Sequence, residues 1–293
     1  MTFRCGNIAL AGRPNAGKST FLNEVLGEKL SIVSDKPQTT RNRILGVYND
    51  ETCQIGFLDL PGIHKPEHRM NRLMMRTVHL GLDDADLIFH FIDATGAIGS
   101  GDRFVHEFLK EKQIPVVLVV NKIDLVNKSK LIPKLTEFQE TFTPDELVPL
   151  SAKTGNNLAE LLEVAKKFLA EGDPIYPVET LTNQTVRFMA QEAIREKILH
   201  YTHQEIPHAT AVNLERFEET EDEVNISAVI WVDRANQRKI LLGKQGQMIS
   251  KIRQGARRGL KQLLDKQIHL ELFVKVQEHW RDQEKILKDL DMG

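Results

Sequence analysis

Only two cysteines, Cys5 and Cys53, occur in this sequence of 293 residues, and no C-x-x-C pair is present. A disulfide framework and a cysteine-rich zinc site are therefore not expected, and a reducing cytoplasm is the predicted location. No apolar run reaches the length that crosses a membrane, and the first strand-like run begins so early that we expect no signal peptide. The ten histidines show no metal-ligand spacing, and we expect His64, His68 and His79 at the surface.

Neither sign of charge is in large excess over the whole chain, since 39 Lys and Arg oppose 41 Asp and Glu. The net charge of −2 nevertheless conceals a basic segment, because residues 234–266 contain ten basic residues and a single acidic one, Asp265. A hydrophobic content of 41% is ordinary for a globular protein. The length allows two domains, each able to bury a core.

A phosphate-binding loop is predicted at residues 12–19, which fit the pattern G-x-x-x-x-G-K-[ST] between a strand-like run and a helical one. Backbone N–H groups of such a loop and of the following helix terminus face phosphate oxygens. Lys18 would reach the β- and γ-phosphates and the Ser19 hydroxyl would bind Mg²⁺. Alone, the motif could be a glycine-rich turn with a chance lysine. The predicted phosphate contacts here are Gly12, Arg13, Pro14, Asn15, Ala16, Gly17, Lys18 and Ser19.

Asp59 begins the motif Asp-Leu-Pro-Gly and ends a second strand-like run, which would place its carboxylate at the ligand-binding edge of an α/β sheet. We expect this carboxylate to hold Mg²⁺ through a coordinated water. Gly62 can leave its N–H free to meet the γ-phosphate, so the following segment would respond to that phosphate. As a simple loop turn the same four residues are common, so the prediction depends on the accompanying motifs.

A guanine-reading pocket is predicted by residues 121–124 and 151–153, each after a strand-like run. The carboxylate of Asp124 can accept hydrogen bonds from the N1–H and amino groups of guanine, whereas adenine offers a mismatched pattern. Asn121 would brace the neighbouring loops, and the Lys122 stem would lie along the base. A backbone N–H of the second segment would meet the guanine oxygen. The predicted guanine contacts are Asn121, Lys122, Asp124, Ser151, Ala152 and Lys153.

Ile63 occupies the position at which Ras-like GTPases carry a glutamine that orients the attacking water. Isoleucine cannot orient or activate water, so we expect slow intrinsic hydrolysis, with a backbone group, solvent, a cation or a partner placing the water. Residues 31–41 lie where a mobile switch belongs. Either Thr39 or Thr40 could place its hydroxyl on Mg²⁺, and we favour Thr40. The predicted switch residues are Thr39, Thr40, Arg41 and Ile63.

Together the motifs predict an α/β P-loop GTPase domain, with a mostly parallel sheet flanked by helices, over residues 1–172. Turn-forming residues then suggest a linker over 173–182, before a second domain over 183–293. The periodicity of that part indicates helix, strand, strand, G-x-x-G, helix and strand, the order of a smaller α+β type-two KH domain. The helix after the G-x-x-G is expected to bury Ile249, Ile252, Ala256, Leu260 and Leu263.

RNA binding is predicted because KH domains clamp about four single-stranded nucleotides along the G-x-x-G loop. Residues 243–246 form that loop, and glycines there would let a phosphate backbone approach closely. A basic helix face often faces solvent without binding a partner, and a G-x-x-G motif alone is weak evidence for RNA binding. The prediction therefore depends on the loop, the basic segment and the element order together. The predicted RNA contacts are Gly243, Lys244, Gln245, Gly246, Lys251, Arg253, Arg257, Arg258 and Lys261.

The motifs at residues 14–19, 38–41 and 59–62 resemble those of translation-factor-related GTPases that lack the catalytic glutamine, and within that group the whole chain resembles the Era family. This resemblance implies a cycle between GTP and GDP with Mg²⁺, and binding to small-subunit ribosomal RNA near its 3′ end during assembly of the 30S subunit. Asn15 matches an asparagine that holds a monovalent cation in potassium-stimulated relatives, so K⁺ is an implied cofactor. Peripheral contact with the inner membrane is also implied, and we expect a monomer.

Two alternatives stay open on the sequence alone. The C-terminal half could be a protein- or membrane-docking module, and whether nucleic acid copurifies and is removed by salt would separate the two functions. The chain could also bind GTP without turning it over, which an assay of phosphate release would decide.

Overall fold

The computed structural model describes residues 2–36 and 38–290, which form two compact units. The first unit extends to Asn183 and the second begins at Gln184, apart from short segments near residues 34–36 and 67–73 that group with the second. Within the described residues, no helix combines the length and apolar character needed to cross a membrane.

The first unit is built on a seven-stranded sheet in the order β2-β3-β1-β4-β5-β6, with β7 beside β1. Pairing is parallel except between β2 and β3 and between β1 and β7. The strands are β1 (Arg4–Gly12), β2 (Ile44–Asn49), β3 (Cys53–Asp59), β4 (Leu87–Asp93), β5 (Val116–Asn121), β6 (Glu146–Pro149) and β7 (Ala170–Glu171). The helices of this half of the chain are α1 (Lys18–Leu26), α2 (Arg69–Asp83), α3 (Ser100–Lys110), α4 (Lys128–Phe142) and α5 (Leu158–Phe168).

Helices cover both faces of this sheet. Ala9 and Ala11 of β1 pack in one cluster with Val78 of α2 and Val105 of α3. On β3, Leu58 joins that cluster, whereas the neighbouring Phe57 contacts Phe21 of α1 edge-on, with ring centroids 5.3 Å apart. Successive residues of a strand point to opposite faces, so α1 lies on the face opposite α2 and α3. Burial on both faces explains why these strands read as continuous apolar runs.

Residues 173–182, which the sequence suggests as a linker, lie against the first unit. Tyr176 Oη donates to Asn7 Oδ1 at 2.8 Å, and its backbone N–H donates to Gln54 Oε1 at 2.7 Å. Thr182 Oγ1 donates to the carbonyl of Leu45 at 2.6 Å. The segment suggested as a linker is therefore attached to the first unit over most of its length, up to Thr182.

The second unit is an α+β domain around a three-stranded sheet in the order β10-β9-β8. The strands β8 and β9 are antiparallel, and β9 and β10 are parallel. Its elements are α6 (Val186–Tyr201), β8 (Thr210–Glu219), β9 (Glu223–Val232), α7 (Ala235–Leu242), α8 (Gln247–Leu264), β10 (Gln267–Val276) and α9 (Glu284–Asp289). Ile194 and Ile198 of α6 share one core with Ile230 of β9 and with Ile252 and Ala256 of α8. Both predicted fold classes are confirmed.

Two details of the second unit differ from the sequence prediction. The short helix α7 was missed because its eight residues bury only Gln237 and Leu241, too few apolar positions for a helical period. Leu263 is 39% exposed rather than buried. The buried side of α8 advances in steps of four from Ile252, and Leu264 rather than Leu263 continues that series against the core.

Candidate functional site

The phosphate loop between β1 and α1 takes a conformation that requires glycine. Gly12 and Gly17 have φ values of 148° and 99°. A Cβ at Gly17 would lie 2.0 Å from Asn121 Nδ2, and one at Gly12 would lie 2.5 Å from the carbonyl oxygen of Phe91. Asn15 is also in the left-handed region, at φ 64°. The loop is thus fitted tightly against the ends of two neighbouring strands.

Lys18 and Arg13 differ in what their side chains do in this loop. Lys18 is 6% exposed, and its Nζ donates to the carbonyl of Arg13 at 3.1 Å. Burial lowers the pKa of Lys18 to about 8, although the Asp59 carboxylate opposes that shift. The Arg13 guanidinium instead contacts Asp102 in the first turn of α3, with Nη1 and Oδ2 3.1 Å apart. Arg13 therefore offers phosphate its backbone, while Lys18 offers a buried ammonium.

We expect the affinity for GDP to fall as the pH rises above about 8. Bound phosphate favours the charged form of Lys18, so binding raises its pKa and requires proton uptake once the free lysine has lost its proton. Affinity should be flat between about pH 7 and 8, where the terminal phosphate is fully ionised, and fall by up to tenfold per pH unit above pH 8. Titration calorimetry in two buffers of different ionisation enthalpy, below the pH at which guanine itself ionises, measures that uptake. No proton uptake at the upper end of the range would contradict the assignment.

Hydroxyl groups from three separate segments lie around the carboxylate of Asp59. Ser19 Oγ and Ser31 Oγ donate to its Oδ2 at 2.7 and 2.9 Å, and Thr40 Oγ1 lies 2.9 Å from Ser19 Oγ. The carboxylate is fully buried, and within residues 2–36 and 38–290 its Oδ1 has no hydrogen-bond partner. Burial raises the pKa of Asp59, against the opposing effects of Lys18 and of the hydroxyls of Ser19, Ser31 and Thr40. A buried oxygen without a partner, beside hydroxyl oxygens, fits the ligand preference of Mg²⁺.

The segment after Asp59 lies across the phosphate loop. A Cβ at Gly62 would lie 2.7 Å from Pro14 N, and the Ile63 N–H donates to the carbonyl of Gly12 at 3.0 Å. His64 Nδ1 lies 2.7 Å from the carbonyl oxygen of Gly62. His64 is less exposed than expected, because the side chain is part-buried and its Nε2 is shielded from solvent and has no hydrogen-bond partner among the described residues. The His64 side chain therefore contacts the backbone of Gly62, the glycine that packs against the phosphate loop.

Ile63 is a core residue rather than a switch side chain that faces solvent. It is 2% exposed and packs with Leu60, Ala11 and Val78. Of the other predicted switch residues, Thr39, Thr40 and Arg41 are all largely buried. The missing glutamine is thus replaced by a side chain with a structural role.

Replacing Ile63 with Ala should lower the free energy of unfolding by about 2–4 kcal/mol, because it leaves a cavity in the core. The rate of hydrolysis should stay within about tenfold of the parent, since the side chain performs no chemistry. Thermal unfolding and single-turnover hydrolysis measure the two effects, with Ile63→Val as the milder control. A collapse in rate with normal stability and GTP binding would show that Ile63 acts in catalysis.

At the other end of the site, the Asn121 side chain joins two loops. Its Nδ2 donates to the carbonyl of Ala16 in the phosphate loop at 2.9 Å. Its Oδ1 accepts the backbone N–H of Ala152, also at 2.9 Å. Asn121 and Ala152 are both almost fully buried. Because that N–H is already engaged, a guanine oxygen would share it or use the adjacent N–H of Lys153.

Neighbouring side chains orient the two other groups of the guanine motif. Ser151 Oγ donates to Asp124 Oδ1 at 2.6 Å, which leaves Asp124 Oδ2 for the base. Lys122 Nζ donates to Asp93 Oδ2 at 2.6 Å. Burial acts to raise the pKa of Asp93, but hydrogen bonds from Lys122 and Thr95 outweigh it and hold the pKa below its usual range. Asp93 was not predicted as a site residue, although it too ends an apolar strand.

Asp124→Asn should change the nucleotide specificity, so that the variant binds xanthosine triphosphate more tightly than GTP. Ser151 can still hold Oδ1 of the asparagine, so its Nδ2 would face the base and repel the guanine donors while matching the extra oxygen of xanthine. Competition binding with both nucleotides measures the change, with Ser151→Ala as a milder control. An unchanged preference for GTP would contradict the guanine assignment.

In the second unit, the G-x-x-G loop lies between α7 and α8. Gly243 and Gly246 have φ values of 71° and 77°, and Gln245 is also left-handed at 51°. A Cβ at Gly243 would lie 2.7 Å from Met248 Cβ, whereas one at Gly246 would meet nothing within 4 Å. Lys244 and Gln245 are exposed. The turn is therefore tight on its inner side and open to a ligand on its outer side.

The face of α8 opposite the core is basic. Lys251, Arg253, Arg257, Arg258 and Lys261 are all exposed, while Ile252, Ala256 and Leu260 are buried. Lys251 Nζ lies 4.5 Å from the centre of the Tyr201 ring. Among residues 2–36 and 38–290, no ion pair engages Lys244 or the three arginines of this face. These charges are available to an anionic partner.

Comparison with known proteins matches both units. A family model described as a 50S ribosome-binding GTPase matches residues 7–122, and one described as a KH domain matches residues 205–281. A crystal structure of Era in complex with MgGDPNP and nucleotides 1506–1542 of 16S ribosomal RNA is 36% identical over 99% of each chain, with a TM-score of 0.96. A variant of Era from Aquifex aeolicus bound to GDP·AlF₄⁻ is 36% identical over 99% of this chain and 100% of that one, with a TM-score of 0.95.

Proposed function

The chain belongs to the Era family of GTPases, and from that premise we propose that it binds small-subunit ribosomal RNA near its 3′ end through the KH domain. In this proposal the GTP cycle serves assembly of the 30S subunit. The observation that carries it is the near full-length match to an Era structure that holds a GTP analogue and the 3′ nucleotides of 16S RNA.

The geometry of the KH domain supports RNA as the ligand. The open outer side of Gly246 and the exposed Lys244 suit close approach of a phosphate backbone. Two apolar side chains that were not predicted as contacts are also exposed, Ile240 on α7 at 45% and Phe273 on β10 at 48%. Arg238 Nε donates to the carbonyl of Val274, which ties α7 to the edge strand β10. An exposed aromatic ring such as that of Phe273 offers a surface on which an unstacked base can stack.

The nucleotide site supports phosphate binding by the chain's own groups. Loop N–H groups and Lys18 would bind the phosphates, and Gly62 would place its N–H toward the γ-phosphate. Mg²⁺ would be held by Ser19, Thr40 and Asp59, and when bound it neutralises charge on the phosphate oxygens. Because no side chain at position 63 activates water, intrinsic hydrolysis would be slow. Stimulation by K⁺ near Asn15 is part of the same proposal.

Several expectations stay predictions. These are the cytoplasmic location, peripheral contact with the inner membrane, direct binding to the 30S subunit and the monomeric state. A docking-module function for the C-terminal half is not favoured, because the matched Era structure contains ribosomal RNA.

Replacing Lys244 and Gln245 together with Asp should abolish binding of the full chain to a single-stranded 3′-end oligonucleotide. Two carboxylates would then face the phosphates in a loop that allows close approach. Arg257→Ala should act mildly and reduce the log–log salt slope by about 0.7, as expected for one phosphate contact on a single strand. Fluorescence anisotropy across a salt series measures both effects.

Glu218, which is exposed on β8 and pairs with Arg216 of the same strand, provides a control, and Glu218→Ala should leave RNA binding unchanged. If the loop variant binds like the parent, the KH domain does not use its G-x-x-G as a clamp, and the docking-module function becomes the better account.

A further inference from the structure

A cavity in the second unit has no role in the function described so far. Its volume is about 440 Å³, within the range of about 300–1,000 Å³ that is typical of ligand pockets. It lies at the start of α7, whereas the G-x-x-G lies at the end of that helix. We call it the Asp233 cavity, and its walls include Glu205, Asp233, Arg234, Gln237, His279 and Arg281.

The walls of the Asp233 cavity are fixed by the fold. The Gln277 N–H donates to the carbonyl of Val232 at 2.8 Å, which extends the pairing of β9 and β10 into the following loop. Trp280 is fully buried, and its Nε1 donates to the carbonyl of Ala209 at 3.0 Å. The loop that carries His279 is therefore held in place by hydrogen bonds of the residues on both sides of it.

One wall residue has an unmet acceptor. Asp233 is 8% exposed, and its Oδ2 accepts from Arg281 Nη2 at 2.7 Å. Among the described residues its Oδ1 finds no hydrogen-bond donor, which is costly for a buried carboxylate unless water or a ligand supplies one. Within the part of the chain that the structure describes, no cluster of three metal-ligating side chains occurs. An N–H or O–H donor of a ligand would satisfy this oxygen.

We propose that the Asp233 cavity binds an unstacked nucleobase that carries an amino group, just beyond the nucleotides held at the G-x-x-G. A carboxylate is the natural acceptor for the amino group of cytosine and for the N–H groups of adenine or guanine. Exposed Arg234 and His279 provide a cation and an aromatic ring beside that acceptor. This proposal rests on the proposed RNA-binding function and deepens it by adding a base-specific subsite.

The distance along α7 is compatible with one continuous strand. The eight residues of α7 span about 12 Å at 1.5 Å per residue. A KH clamp holds about four nucleotides, so a longer single strand has nucleotides left to reach the cavity. Oligonucleotide length therefore separates the cavity from the clamp.

The test uses the full chain with cytidine and uridine oligomers of four and ten nucleotides, since uracil has no amino group. Asp233→Ala should weaken binding of the ten-nucleotide cytidine oligomer by about tenfold, as expected for one base contact. Binding of the four-nucleotide cytidine oligomer and of both uridine oligomers should change by less than about twofold. Glu218→Ala is the matched control, because it removes an exposed carboxylate that also pairs with an arginine, Arg216.

His279→Gly provides a second variant that should fold, because His279 has φ 53°, where glycine is favoured, and its side chain is exposed. This variant should bind the ten-nucleotide cytidine oligomer about threefold more weakly than the parent and bind the four-nucleotide oligomer equally well. Two results would overturn the subsite but not the clamp. The variants could lose affinity equally for the four- and ten-nucleotide cytidine oligomers, or neither variant could lose affinity for the ten-nucleotide oligomer. If the parent binds neither these oligomers nor the 3′-end oligonucleotide, the proposed RNA function fails and the subsite with it. A parent that binds the 3′-end oligonucleotide but not the long cytidine oligomer overturns the subsite alone. A parent that binds long cytidine and uridine oligomers equally also overturns the proposal.

Discussion

The nucleotide site depends on one buried amide, the side chain of Asn121. It donates to the carbonyl of Ala16 and accepts the N–H of Ala152, so it joins the phosphate loop to the loop after β6. The same side chain leaves no room for a Cβ at Gly17. Parallel strands bring their carboxyl ends to one edge, which is why a residue that ends β5 can reach both loops.

A second constraint is the pair of buried charges at the phosphate end. Burial moves the pKa of Lys18 down and the pKa of Asp59 up, so each group is held partly toward its neutral form before ligand arrives. Phosphate would favour the charged lysine, and Mg²⁺ would favour the charged carboxylate. Ligand binding therefore relieves a cost that folding imposes, which makes these two residues sensitive to whether nucleotide and metal are bound.

Much of this architecture could be predicted from the sequence because apolar runs end in chemically distinctive residues. Asp59, Asn121 and Ser151 each follow such a run, and their order along the chain places them on one edge. The contacts of Ser31 and His64 could not be predicted, because they depend on where loops fold back in space. The attachment of residues 173–182 to the first unit was missed for the same reason, since Tyr176 finds partners far away in sequence.

In the second unit, the sequence predicted the basic face of α8 and the G-x-x-G, but neither α7 nor the Asp233 cavity. Helix α7 has too little apolar content for periodicity to detect it, and the cavity is formed by residues from several segments between positions 205 and 281. Its wall residues have no common spacing along the chain. Sites of this kind become visible only when the burial and hydrogen bonds of individual side chains are known.

The most direct test of the account is equilibrium binding of GDP to Asn121→Ala, with thermal unfolding to establish that the variant is folded. The substitution leaves a carbonyl and an N–H without partners, each at a cost of about 1–3 kcal/mol. The free protein can relieve this cost by letting the two loops separate, whereas bound GDP holds them together, so GDP affinity should fall by at least about thirtyfold, which corresponds to about 2 kcal/mol. A folded variant with the GDP affinity of the parent would contradict the claim that this side chain couples the phosphate loop to the guanine pocket.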